Sequence, residues 1–445
     1  MTKTSLKNEG NKMIKDLMDF KNVFWINKDK PKFEEANKHA KFNHADVKDA
    51  EDRLARFAPF IEKAFPETES SNGIIESKIS EIPNFKEDLE EEYDVKIDGS
   101  LLLKRDDTLP IAGTIKARGA IYEVLKYAET LALEEGILKN TDVNYEIFTT
   151  EEFIEFFSQY NITVGTTGNL GISVGIMGAK IGFEVIVHMS AEAKQWKKDL
   201  LRSHGVNVIE HDTDFTKAVE NGRKESDANP KSYFVDDEHS TDLFLGYTVA
   251  GSRLKEQLDE EDIIVDEDHP LFLYLPCGIG GSPGGITFGL KHVYGDNVHC
   301  FFAEPSHMPS MLVGLETKKY DDVSVYDFEI DGKTNMDGLA VPRTSGFVSE
   351  LMSDFFDGGY TIQEDQAKRV LTRLIDLEDI PLEPAAVAGL PGSAYLFKSE
   401  EGRQYLKEKG LMDKMENATH ISWATGGSMV PKEDMDEFYN QGANL

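Results

Sequence analysis

From about residue 97 onward, short apolar runs alternate with amphipathic stretches, and few folds are written this way. Strand-then-helix repeats of this kind build α/β domains, in which open, largely parallel twisted sheets carry helices on both faces. The expected strands are 96–104, 161–165, 183–188, 206–210, 271–275, 298–303 and 420–424, and the expected helices 120–135, 171–180, 191–203, 243–258 and 363–377. At 445 residues the chain exceeds what one hydrophobic core usually serves, so two sheets in two domains are expected. The expected division is 1–116 as an N-terminal extension with the first part of a large domain, 117–240 as a small domain, and 241–445 as the remainder of the large one. Residues 1–95 read as charged helix, as in A-E-D-R-L-A-R-F, and carry no motif with chemistry in it.

A formal charge of −33 argues against DNA, RNA and anionic lipid as partners, since all of them select clustered Lys and Arg. The expected partner is a small-molecule substrate, with no nucleic acid, no membrane and no inferable protein partner. Cys277 and Cys300 are the only cysteines, too few for a disulfide framework or a zinc site, and the opening residues lack the apolar core of a signal peptide. A soluble cytoplasmic protein is expected.

Ligands of open α/β sheets sit outside the carboxyl ends of strands, so the loops there are where chemistry is expected. Four segments stand out. In L-L-L-K-R-D-D-T-L-P-I-A-G-T-I-K-A-R-G-A, Lys116 falls in the first turn of a helix, where the dipole disfavours a cation and favours a neutral amine, with a solvated surface lysine beside Arg118 as the alternative. In I-T-V-G-T-T-G-N-L-G, the residues Thr166, Thr167, Gly168 and Asn169 offer hydroxyls, an amide and the N–H groups of a helix start, suited to a carboxylate or to a plain turn. In L-F-L-Y-L-P-C-G-I-G-G-S-P-G-G, the stretch Gly278, Ile279, Gly280, Gly281 lets backbone approach a phosphate. Its spacing is not a Walker loop, although a variant dinucleotide site with Glu304 as the ribose-binding acid stays open. In T-H-I-S-W-A-T-G-G-S-M-V-P, Thr425 places a neutral hydroxyl after a strand.

Taken together and in this order, T-I-K-A-R-G-A, T-T-G-N-L-G, G-I-G-G-S-P-G-G and A-T-G-G resemble the tryptophan-synthase-like (fold type II) pyridoxal-phosphate enzymes, and R-G-A after the lysine resembles their serine and threonine dehydratases. The T-G-N-L-G form, the extension and the W-A-T-G-G-x-M-V-P ending are similar to the branch acting on D-serine; the alternative within the fold is a dehydratase of L-serine or L-threonine. The resemblance implies pyridoxal 5'-phosphate in a cleft between a large and a small domain, with Lys116 as Schiff-base lysine and base at Cα. It implies Asn169 at the cofactor's phenolic oxygen, Thr166, Thr167 and Gly168 at the substrate carboxylate, Gly278 to Gly281 at the phosphate and Thr425 at the ring nitrogen. At Glu304 it implies a monovalent cation such as K+, against which stands an ion-paired strand end.

The implied reaction is β-elimination of water from D-serine, followed by hydrolysis to pyruvate and ammonia. A departing hydroxide needs a proton, for which Asp236 and Asp237 in Y-F-V-D-D-E are candidates. The alternatives from other classes are a nicotinamide oxidoreductase and an amino-acid-binding protein without catalysis.

Overall fold

The computed structural model describes residues 11–445 apart from 167, 213 and 214, and apart from the side chains of 215–218. Packing divides the chain into two units. The first comprises the chain up to Asn43, Ser77–Thr108 and Ala250–Leu445, and the second comprises His44–Glu76 and Leu109–Val249. The expected boundaries at 116 and 240 differ from this division, in which 44–76, 109–116 and 241–249 go with the second unit.

The first unit is built on a seven-stranded sheet of β1 (Phe24–Ile26), β2 (Ile79–Glu81), β3 (Ser100–Arg105), β8 (Leu271–Pro276), β9 (Val298–Pro305), β10 (Gly358–Ile362) and β11 (Thr419–Ala424), in the order β1-β10-β9-β8-β11-β3-β2. The five inner strands are parallel, and the short β1 and β2 close the edges antiparallel. Continuous apolar runs such as L-F-L-Y-L-P suit strands covered on both faces, and every residue of β8, β9, β10 and β11 is buried. The second unit holds a four-stranded parallel sheet of β4 (Asn161–Gly165), β5 (Glu184–Ser190), β6 (Asn207–His211) and β7 (Ser232–Val235), ordered β6-β5-β4-β7.

All seven expected strands are present within a few residues. β1, β2, β7 and β10 were not among those expected. The expected helix 243–258 is two helices, Thr241–Thr248 and Ala250–Glu260, and the interruption at Val249 is where the chain passes from one unit to the other. The expected helix 191–203 begins only at Gln195, because 191–194 form a turn.

The N-terminal stretch has a structural task in each unit. β1 edges the large sheet, while helix His44–Ala64 sends Arg53 and Arg56 onto the buried carboxylate of Glu129 at 2.6 and 2.9 Å. Glu129 lies on helix Lys116–Glu134, so the stretch braces the element that begins with Lys116.

Candidate active site

In the second unit, the carboxyl ends of two paired parallel strands gather the expected groups. Thr166, Gly168 and Asn169 follow β4, and Asp236 and Asp237 follow β7, with Val164 opposite Val235. Thr167 lies outside the described residues. The Thr166 hydroxyl accepts the Gly168 N–H at 3.1 Å, the Thr166 N–H donates to the His188 carbonyl at 2.9 Å, and Asn169 opens helix Asn169–Ile181.

Lys116 is the first residue of its helix, and its Nζ lies 3.4 and 3.3 Å from the two carboxylate oxygens of Asp237. That carboxylate offsets the unfavourable position of a cation at a helix start. The residues after the lysine serve packing: the Arg118 guanidinium grips Glu76 through two nitrogens, and a Cβ on Gly119 would come within 2.5 Å of the Tyr247 ring. The two adjacent acids part company. Asp237 faces the lysine, whereas Asp236 is held by Arg223 and lies 3.1 Å from the His239 Nδ1.

A residue that the sequence did not single out sits two turns along the same helix. Glu123 is buried and accepts a hydrogen bond from Tyr233 of β7 at 2.8 Å, tying the Lys116 helix to the strand that delivers Asp237. Its only signal is a lone acid inside A-I-Y-E-V-L. Burial pushes its pKa up to about 8, aided by Asp242 and Asp237 and opposed by hydrogen bonds from Tyr233 and Ser240. The folded protein therefore retains a proton that the unfolded chain gives up near 4.5, and stability declines as pH rises from that value towards 8. Glu123→Gln mimics the protonated form. It is expected to match the parent near pH 4 and to exceed it at pH 9 by at least about 1 kcal/mol in denaturant unfolding. An equal decline in both proteins would show that Glu123 is ionised throughout.

The remaining candidates lie at the carboxyl ends of central strands in the first unit. After β8, Gly278, Ile279 and Gly280 lead into helix Gly281–Tyr294, whose N-cap Gly280 has φ +109° and supplies no side-chain cap. A Cβ on Gly280 would meet Met311 Cε at 2.5 Å, and one on Gly278 would meet the Gly338 carbonyl at 2.9 Å. The loop is thus packed tightly from behind, while its first-turn N–H groups form the kind of cradle a phosphate fills. Thr425 is buried after β11, the parallel neighbour of β8, so the structure brings loop and hydroxyl to one end of one sheet. Glu304 on β9 is not ion-paired among the described residues. Its oxygens accept the Met311 and Leu312 N–H groups at 2.7 and 2.9 Å, which leaves a cation only their second lone pairs.

Residues 79–406 match the family described as "Pyridoxal-phosphate dependent enzyme", and the chain belongs to that family. Its relatives narrow the class further. A Bacillus cereus protein named "Probable D-serine dehydratase" is 56% identical over 433 residues, spanning 97% of each chain. A Geobacillus stearothermophilus protein of the same name is 54% identical, spanning 97% of this chain and 94% of its own. The Escherichia coli diaminopropionate ammonia lyase in complex with D-serine shares the fold, with TM-score 0.68 and 16% identity, over 95% of this chain and 97% of that one. The cofactor is pyridoxal phosphate and the chain is an enzyme, which removes the dinucleotide and passive-binding alternatives. The residues present fit that cofactor: an uncapped glycine helix start for its phosphate, a lysine with a carboxylate beside it, and a buried neutral hydroxyl.

Proposed function

We propose that the chain is a D-serine ammonia-lyase, which converts D-serine to pyruvate and ammonia. The observation that carries this reading is the Lys116–Asp237 contact beside the loop 166–169. The D configuration follows the names of the relatives.

When bound, pyridoxal phosphate supplies an electron sink for the charge that develops at the substrate Cα. The chain's own groups do the rest. The N–H groups of 278–281 would hold the phosphate, Asn169 would meet the phenolic oxygen, and Thr425 would offer the ring nitrogen a hydroxyl without charge. Thr166, Thr167 and Gly168 orient the carboxylate. Lys116 would be the covalent anchor for the cofactor, and its amine would take the proton from the substrate Cα. Asp237 adjoins the resulting ammonium and can pass a proton to the β-hydroxyl, which leaves as water while the Cα–Cβ double bond forms. The enamine so produced takes up water and releases ammonia, leaving pyruvate.

The test compares 2-oxo acid release from D-serine, L-serine and D-threonine. D-serine is expected to lead L-serine in kcat/KM by at least roughly tenfold. Faster release from L-serine would reassign the chain to the L-specific dehydratases.

Among the described residues no helix is long and apolar enough to cross a membrane. Cys277 and Cys300 are buried thiols and form no disulfide, which supports the cytoplasm as its compartment.

A further inference from the structure

Helix Gln195–Ser203, in the second unit, packs on the glycine-lined face of Asn169–Ile181. Leu201 would come within 2.5 Å of a Cβ on Gly175, so the glycine there lets the helix pack this closely. One turn earlier on the same face, Lys197 brings its Nζ within 3.8 Å of where a Cβ on Gly168 would stand. Its ammonium therefore stands over the loop that carries Thr166 and Asn169.

The next residue shows what an ordinary buried lysine does here. Lys198 donates to Glu210 Oε2 and to the Ala191 carbonyl, both at 2.7 Å. Lys197 is only 8% exposed, yet among the described residues its ammonium has no carboxylate and no hydrogen-bond acceptor. Its one recorded charge contact is the Trp196 ring, 5.5 Å away, which leaves its N–H donors unused. It also occupies the first turn of its helix, where the dipole is positive and no acidic residue offsets it. A desolvated cation in such a place is costly unless an anion completes it.

We propose that Lys197 is the counter-charge for the carboxylate of the amino-acid substrate. The inference deepens the D-serine reading and rests on it. Thr166 and Gly168 contribute hydroxyl and N–H groups without charge, so Lys197 makes the subsite select an ionised carboxylate over the neutral end of an amino alcohol or an amide.

The test uses cofactor-loaded enzyme in three forms: parent, Lys197→Met and Lys197→Arg. For Lys197→Met, the KM for D-serine is expected to rise roughly 10- to 100-fold while kcat changes less than about threefold. Competitive inhibition by propionate, a bare carboxylate, is expected to be lost with it, and Lys197→Arg to retain part of both. The melting temperature of the substrate-free Lys197→Met protein should be equal to or above the parent's, because a desolvated charge has gone. A purely structural lysine would instead lower the melting temperature with KM unchanged, which overturns the proposal. Unaltered KM and propionate inhibition in Lys197→Met overturn it as well. A parent inactive on D-serine, whose calorimetric propionate binding still disappears in Lys197→Met, would sink the substrate reading and leave the carboxylate site standing.

Discussion

Lys116→Ala is expected to lower pyruvate formation by at least roughly a thousandfold while the protein still folds. Two functions fall on one amine in the proposed chemistry, the covalent hold on the cofactor and the proton acceptor at Cα, and alanine supplies neither. Folding should survive for a local reason. The lysine side chain is 18% exposed, and its partner Asp237, at 32%, stays hydrated when the ammonium is removed. The helix itself is held by other residues, among them the Arg118–Glu76 pair and the Glu129 carboxylate under Arg53 and Arg56. Borohydride treatment followed by peptide mapping gives an independent readout: label should be fixed at Lys116 in the parent and absent in the variant. Near-normal turnover by Lys116→Ala would place the reacting amine elsewhere.

Much of this was legible in the sequence because the informative residues are small and clustered. L-F-L-Y-L-P reads as a strand covered on both faces, and the glycines behind it as a close turn into a helix, which begins at Gly281. The segment G-G-Y-T-I is the opposite case. It was not among the expected strands, yet it forms β10, and a Cβ on Gly358 would stand 2.3 Å from the Trp25 carbonyl of the edge strand β1. That requirement comes from a segment more than three hundred residues away in the chain.

Adjacent like residues were equally opaque. Asp236 and Asp237 are interchangeable in one dimension, as are Lys197 and Lys198. In the folded protein one of each pair is spent on an ordinary ion pair and the other faces the loop ends. Glu123 was invisible because its partner Tyr233 arrives from β7, a strand too short and too polar at its margins to be expected.

The largest stability effect is expected at a position without any proposed chemistry. Asp357 is buried in the first unit just before β10. It accepts from Lys291 Nζ at 2.9 Å, from the Cys300 N–H at 2.9 Å and from the Tyr405 hydroxyl at 3.0 Å, with Lys30 Nζ 3.5 Å away. Burial alone would raise its pKa, but Lys291 and Lys30 outweigh burial and hold it well below the usual carboxylate range. The stability it contributes is present above the ordinary value of 3.8 and is lost as pH falls below it. Asp357→Ala removes the one carboxylate that Lys291 and Lys30 share, leaving Lys291 the Val298 carbonyl and Lys30 the more distant Asp296, and takes the acceptor from the Cys300 N–H, so at pH 7 a loss of about 3 to 5 kcal/mol is expected in urea unfolding. Asp357→Asn keeps one acceptor oxygen and should fall between. The damage should also reach the cofactor, because Lys291 belongs to the helix that begins at Gly281, while Lys30 ties down the segment after β1. Faster loss of pyridoxal phosphate on dialysis is therefore expected from both variants. A stability loss below about 1 kcal/mol in Asp357→Ala would mean that the two lysines are satisfied without it.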